Sequence, residues 1–183
     1  YMAFSTAPLE GTESSHYEID LQGTSADGSH AIFIANDNNP PTTKKPGTFQ
    51  LFESIEGAVR PVCILPSETR LKTECSAGGS NATLLTRGFS VHNAISEDGS
   101  RIFWTARTAD GALDRIYVRI DGSETVQVSS GGAQYWTAAA DGSKAIYSEG
   151  EKLYSFDVEE GKRSLLAEGV LGVAGASEDA SRI

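Results

Sequence analysis

Four aspartates recur in one local setting, and each brings a carboxylate that could ligate a cation or cap a turn. Asp27 stands in Gly23 to Asn36, GTSADGSHAIFIAN, and Asp98 in Ala94 to Arg107, AISEDGSRIFWTAR. Asp141 stands in Thr137 to Glu149, TAAADGSKAIYSE, and Asp179 in Gly175 to Ile183, GASEDASRI. A calcium site needs six or more oxygens, which a D-x-D-x-D-G loop supplies. Each of these aspartates is alone in its unit, so the motif predicts a structural turn, the carboxylate accepting backbone N–H bonds. The loops Asp37-Asn38-Asn39 and Asp110 to Asp114 offer more oxygens and are better cation candidates, although solvation of an exposed loop accounts for each.

The remaining chemistry-bearing residues are dispersed. His16, His30 and His92 lie far apart, and of these His92, beside Asn93, is the one that the fold could bring to a groove. Ser90 in Gly88-Phe89-Ser90-Val91-His92 comes nearest to a G-x-S-x-G nucleophile elbow and lacks its last glycine. Glu159-Glu160 falls in a predicted turn, whereas a glycosidase needs two carboxyls facing across a cleft. No catalytic, cofactor or metal residue is therefore expected. Trp104, Tyr117, Tyr135, Trp136, Tyr147 and Tyr154 fall at strand positions, where packing between sheets is expected. One of them lining a face would instead make a sugar or peptide platform. Asn81-Ala82-Thr83 is a glycosylation sequon, relevant in a eukaryotic secretory host. Cys63 and Cys75 are the two cysteines, an isolated pair around a short loop, and read as a disulfide of an oxidising compartment. The alternative is a pair of free thiols.

The elements that position these residues are strands. An Asp-Gly step between apolar segments signals a hairpin, because glycine takes positive φ without a Cβ penalty, so Asp27-Gly28, Asp98-Gly99 and Asp141-Gly142 each predict strand, tight turn, strand. The last copy has Ala180 where glycine is expected, leaving that turn less defined. Strands are predicted at 2–5, 17–22, 31–35, 48–53, 59–65, 91–96, 102–106, 115–120, 125–128, 134–139, 145–148, 152–158 and 163–166, with 170–176 opening a further unit. Turns are predicted at Glu56-Gly57, Asp110-Gly111, Asp121-Gly122, Glu149-Gly150 and Glu160-Gly161. Nowhere is a three-to-four-residue apolar spacing sustained, so essentially no helix is expected. Residues 36–47, rich in proline and asparagine, and the irregular 67–88 are insertions.

The repeated aspartates lie 71, 43 and 38 positions apart, the first interval holding both insertions. Four short strands per unit of about forty residues is the signature of a β-propeller blade, and a sandwich would lack the period. The expected fold is all-β: a β-propeller of four-stranded blades over 1–183, with units at 17–66, 89–129, 133–167 and, in part, 170–183. It reads as an arc of a larger ring; alternatively both chain ends share one blade and close a small ring. The opening Tyr1-Met2-Ala3-Phe4 and the stop within a repeat suggest an excerpt of a longer protein.

Charge narrows the partners. Lys and Arg number 15 against 25 Asp and Glu, a formal net charge of −10, which repels nucleic acid and anionic membrane surfaces. No apolar run approaches the eighteen or so residues that a membrane span needs.

The repeat resembles that of TolB-like, WD-type β-propellers. The layout S-x-D-G-x-x-I-x-F, then I-Y-V-x-D, is matched by Ser96 to Phe103 with Ile116 to Asp121, and again by Ala140 to Ser143 with Leu153 to Asp157. The segment Leu51 to Pro66 is also similar to one found in large exported actinobacterial propeller proteins. The resemblance implies a secreted or cell-surface location and no catalytic residue, since the motif's aspartate fixes the blade. The expected function is a scaffold or binding module, presenting the insertions 36–47 and 67–88 to a protein or glycan. The alternatives are the propeller part of a hydrolase with its catalytic residues elsewhere, or a structural subunit that self-associates through blade edges.

Overall fold

The computed structural model of the chain describes residues 19–37, 48–79, 91–108 and 113–183. Among these residues it is all-β, without helix. The strands are β1 (Ile19–Thr24), β2 (His30–Asp37), β3 (Thr48–Ile55), β4 (Ala58–Pro61), β5 (Cys75–Ala77), β6 (Arg101–Arg107), β7 (Leu113–Ile120), β8 (Glu124–Gln127), β9 (Gln134–Ala138), β10 (Lys144–Glu149), β11 (Lys152–Asp157) and β12 (Lys162–Ala167). They form three four-stranded sheets, β1-β2-β3-β4, β5-β6-β7-β8 and β9-β10-β11-β12, each pairing its strands antiparallel and in chain order.

Period-two alternation decides what each sheet buries. In β6, Ile102, Trp104 and Ala106 point one way, into a core shared with Ile32, Ile34 and Leu51 of the first sheet. Phe103, between them, points the other way and joins Ile116, Val118, Tyr135, Tyr147 and Phe156 in a second core shared with the third sheet. The second sheet is thus buried on both faces, which is why Ile-Phe-Trp runs without a polar interruption. The aromatics fasten these cores: Trp104 stacks on Tyr117 at 4.5 Å between centroids, and Phe103 meets Tyr135 at 5.9 Å. On the far face of the third sheet, Ile146 and Leu153 gather Ala180, Val170 and Val173 from the stretch that follows β12.

Several boundaries differ from expectation. The predicted strand 91–96 contributes one isolated bridge, Ile95 to Ile102. The rest of that edge of β6 is taken by β5, which lies inside the segment 67–88 read as irregular. Gly78 N–H donates to Phe103 O at 2.9 Å, and Phe103 N–H donates to Ala94 O at 2.7 Å, so two separate pieces of chain share one edge. Three residues, Cys-Ser-Ala, carry too little alternation to announce a strand, and β6 and the neighbouring core impose it. The return strand predicted at 59–65 ends at Pro61; a bridge between Ile64 and Arg70 then closes a compact connector. Residues 170–176 form no strand. The predicted strand 2–5, His16, the sequon at Asn81, Ser90, the Asp110-Gly111 turn, most of the insertion 36–47 and residues 80–88 of the other lie outside the described residues, as do the greater parts of the cation candidates 37–39 and 110–114.

Cys63 and Cys75 are joined in a disulfide, with Cα atoms 6.5 Å apart. Both are fully buried in the first core, and the bond ties the end of the first sheet to the first strand of the second.

Candidate functional site

The four repeated turns share one construction. Ser25 N–H donates to His30 O (3.0 Å) and Gly28 N–H to Ser25 O (3.1 Å), so the turn spans Ser25 to His30 rather than centring on Asp-Gly. Asp27 Oδ1 accepts from Ser25 Oγ (2.8 Å), Ser29 N (2.9 Å) and Ser29 Oγ (2.7 Å), while His30 N–H donates to Ser25 Oγ (3.0 Å). Asp98 repeats this with Ser96 Oγ (2.6 Å), Ser100 N (2.9 Å) and Ser100 Oγ (2.8 Å). Asp179 repeats it with Ser177 Oγ (2.7 Å), Ser181 N (3.1 Å) and Ser181 Oγ (2.8 Å). In the third copy Ala139 replaces the leading serine, and Asp141 accepts from Ser143 N at 2.9 Å.

These bonds stabilise the ionised carboxylates. The Ser29 N–H, with the Ser29 and Ser25 hydroxyls, lowers Asp27 from the usual 3.8 to about 2. The Ser96 hydroxyl does the same for Asp98, and the Ser177 hydroxyl for Asp179, each to about 2. Ser143, through its hydroxyl and its N–H, lowers Asp141. Because the folded pKa is depressed, the stabilisation is present above the ordinary carboxylate value and fades as pH falls from about 4 to about 2. Asp98→Ala is therefore expected to lose about 1 kcal/mol of stability at pH 6, the exposed site being well solvated. Urea unfolding at pH 6 and pH 2 checks it: the gap between wild type and variant closes at pH 2, and an equal gap at both would disprove the assignment.

The turns are also linked to one another through the residue between serine and aspartate. Ala26 N–H donates to Glu97 O (2.7 Å), Glu97 N–H to Ala140 O (2.8 Å) and Ala140 N–H to Glu178 O (2.8 Å). A second contact accompanies the first two links. The His30 ring fills the space where a Cβ on Gly99 would be, and Arg101 Cδ comes within 2.8 Å of the corresponding point on Gly142. Both glycines have positive φ, +74° and +72°, so these positions need glycine for backbone and for space alike. Ala180 holds φ 51° and keeps the same turn bond, Ala180 N–H to Ser177 O at 2.8 Å. The structure therefore brings Asp27, Asp98, Asp141 and Asp179 into one continuous row of turns.

A buried charge cluster beneath this row was not singled out by the sequence. Glu53 is 1% exposed and faces the second sheet. Its Oε1 lies 2.6 Å from His30 Nδ1, and its Oε2 accepts from Arg60 Nε at 2.6 Å. The Arg60 guanidinium occupies the space left by the missing side chain of Gly122. Alongside, Arg119 donates to Gly122 O (2.8 Å) and Thr125 Oγ1 (2.9 Å), and Thr125 Oγ1 donates to Ile64 O (2.7 Å). Burial lowers the Arg119 pKa, with Glu68 opposing the shift. Both carboxylate oxygens of Glu53 are engaged and shielded from solvent, so the group serves as an anchor between sheets rather than as an acid or base.

His92 and Asn93 also act as links. His92 Nδ1 lies 3.0 Å from Thr137 Oγ1, Asn93 Nδ2 donates to Ala138 O (2.8 Å), and the Tyr135 hydroxyl donates to the carbonyls of both (2.9 and 3.0 Å). Burial pushes the Tyr135 phenol well above its ordinary pKa. Among the described residues no three His, Cys, Asp or Glu side chains converge as a metal site would require, and no helix is long and apolar enough to cross a membrane. No protein-family model and no curated protein matches the chain.

Proposed function

We propose that the chain is a non-catalytic β-propeller segment of TolB-like type, working outside the cytoplasm as a scaffold that presents its insertions to a protein or glycan. The observation that carries this reading is the row of turns: each repeat donates a backbone hydrogen bond to the next, and the motif's carboxylates are engaged in holding the turns. Repeats that stack this way build a rigid frame with variable loops between strands. The buried disulfide is compatible with an oxidising compartment.

The parts of the insertions assigned this presenting role are residues 38–47 and 80–88. Residues 67–79 are needed for the fold, because they supply β5 and Cys75. Replacing 80–90 by a short Gly-Ser linker should leave cooperative unfolding intact. It should abolish binding of the purified protein to whichever glycan or extended peptide it selects from printed arrays. Undiminished binding by the linker variant, or no binding by the wild type on either array, would remove the support for this function.

A further inference from the structure

The tripeptide Asp-Gly-Ser occurs at 27, 98, 121 and 141, and it folds in two ways. In three copies the following serine N–H donates to the aspartate Oδ1, at 2.9 Å from Ser29, Ser100 and Ser143 alike. The glycine N–H of these copies reaches back along the main chain. Gly28 donates to Ser25 O (3.1 Å), Gly99 to Ser96 O (2.9 Å) and Gly142 to Ala139 O (2.8 Å). The carboxylate and the amide that follows it are both held.

The copy at 121 closes the hairpin between β7 and β8 and is built differently. Asp121 and Gly122 both hold positive φ, 49° and 63°, and the Ser123 N–H donates to Ile120 O at 3.0 Å. That serine N–H is spent on the main chain. Asp121 is exposed, and its carboxylate accepts no hydrogen bond among the described residues. The Gly122 N–H has no partner among them either.

An aspartate followed by glycine is able to react with its own backbone. The glycine nitrogen attacks the carboxyl carbon of the neutral acid, an N–C bond forms and one water leaves, giving a cyclic succinimide. Water then reopens the ring. Where it adds at the former main-chain carbonyl, the chain runs on through the side-chain carboxyl as isoaspartate, one methylene longer. The reaction takes no oxidant, and water is its only co-reactant. It needs a carboxyl and an amide free to turn toward each other, and glycine has no Cβ to obstruct them. In the three motif turns, hydrogen bonds fix both groups and favour the ionised carboxylate, the unreactive form.

We propose that Asp121 is the isomerisation site among the Asp-Gly-Ser steps of this chain, and that isoaspartate there loosens the contact between the first and second sheets. Gly122 O accepts from Arg119 at 2.8 Å. The Arg60 guanidinium, whose Nε donates to Glu53, fills the space of the missing Gly122 side chain. A methylene added to the main chain between Asp121 and Gly122 displaces that acceptor and that seat together.

The test is storage of the full 183-residue chain in warm neutral buffer. A protein isoaspartate methyltransferase with labelled S-adenosylmethionine counts the product, and electron-transfer fragmentation of the peptides locates it. Position 121 should collect isoaspartate about tenfold faster than 27, 98 or 141, the worth of one hydrogen bond on a reacting group. Storage in urea should bring the four rates together, because the tripeptide is the same in each. Ser96→Ala removes the hydroxyl that holds Asp98 at 2.6 Å, so it should speed isomerisation at 98 and leave 121 unchanged. The isomerised fraction, separated by chromatography, should unfold at lower urea than the unreacted one. Equal rates in the folded chain, or a ranking that survives urea, overturn the assignment of the site. An isomerised fraction with an unchanged unfolding midpoint overturns its link to the contact between sheets.

Discussion

Glu53→Ala is expected to destabilise the chain by about 2–3 kcal/mol, through two lost hydrogen bonds to a charged acceptor and the space left by a buried side chain. The carboxylate is 1% exposed and lies between Arg60 and His30 of its own sheet, its charge also felt by Arg119 of the second sheet. Taking the carboxylate away deprives Arg60 and His30, whose side chains are 38% and 21% exposed, of their shared acceptor, which water replaces only in part. Glu53→Gln separates charge from shape. The amide fills the same volume: with its oxygen kept toward Arg60 Nε, its NH2 faces His30 Nδ1, which accepts in the tautomer that carries its proton on Nε2. Glu53→Ala should therefore be the more severe and Glu53→Gln the milder, both measured by urea unfolding with an unchanged m-value. A near-neutral Glu53→Ala would show that neither the hydrogen bonds nor the packing of this side chain holds the site.

The signal for this cluster was in the sequence, as phase rather than as composition. Glu53 has the parity of Leu51, and Arg119 the parity of Tyr117, and both of those partners point into the first core. A charged residue in phase with core residues has to meet an opposite charge or a strong hydrogen bond. Which charge it meets was not legible, because Glu53 and Arg119 are brought together by the stacking of two sheets, and alternation within a strand is silent about that. The same limit explains β5: its three residues take strand form from β6 and from the sulfur bridge. It also explains 170–176, whose Val170 and Val173 pack on the third sheet as extended chain without ladder bonds.

The turns were legible in a different way. Spacing and the Asp-Gly-Ser signature, which is Asp-Ala-Ser in the last copy, located all four, and the side chains that engage each aspartate are those of the motif itself. The links between turns left no trace, since the position that makes them holds Ala26, Glu97, Ala140 and Glu178 in succession. A backbone N–H and a backbone carbonyl make the bond, so any side chain is acceptable there, and the position reads as variable. Ala180 is the informative exception. It keeps a left-handed backbone at φ 51° at a cost of about 1 kcal/mol relative to glycine, because the hydrogen bonds from Ser177 and Ser181 to Asp179 hold the turn around it.

Replacing both cysteines, Cys63→Ala with Cys75→Ala, should lower stability by about 3 kcal/mol, the loop-closure value for a separation of 12 residues. The bond joins the end of the first sheet to the first strand of the second, across a core that also holds Ile32, Leu51 and Trp104. Losing it leaves the connector to its own bonds, among them the Ile64 to Arg70 bridge, Leu65 N–H to Thr69 O, Glu68 N–H to Leu65 O and Leu71 N–H to Cys63 O. Unfolding should remain a single transition, because both sheets still share the core, but its midpoint should fall. Access makes a second, independent prediction. Neither sulfur is exposed, so a thiol reductant should leave the bond intact in native buffer over hours and cleave it quickly in denaturant. Rapid cleavage under native conditions would mean that the first two sheets separate readily at their shared core. A double variant as stable as wild type would mean that the charge cluster of Glu53, and not the sulfur bridge, sets how tightly they are joined.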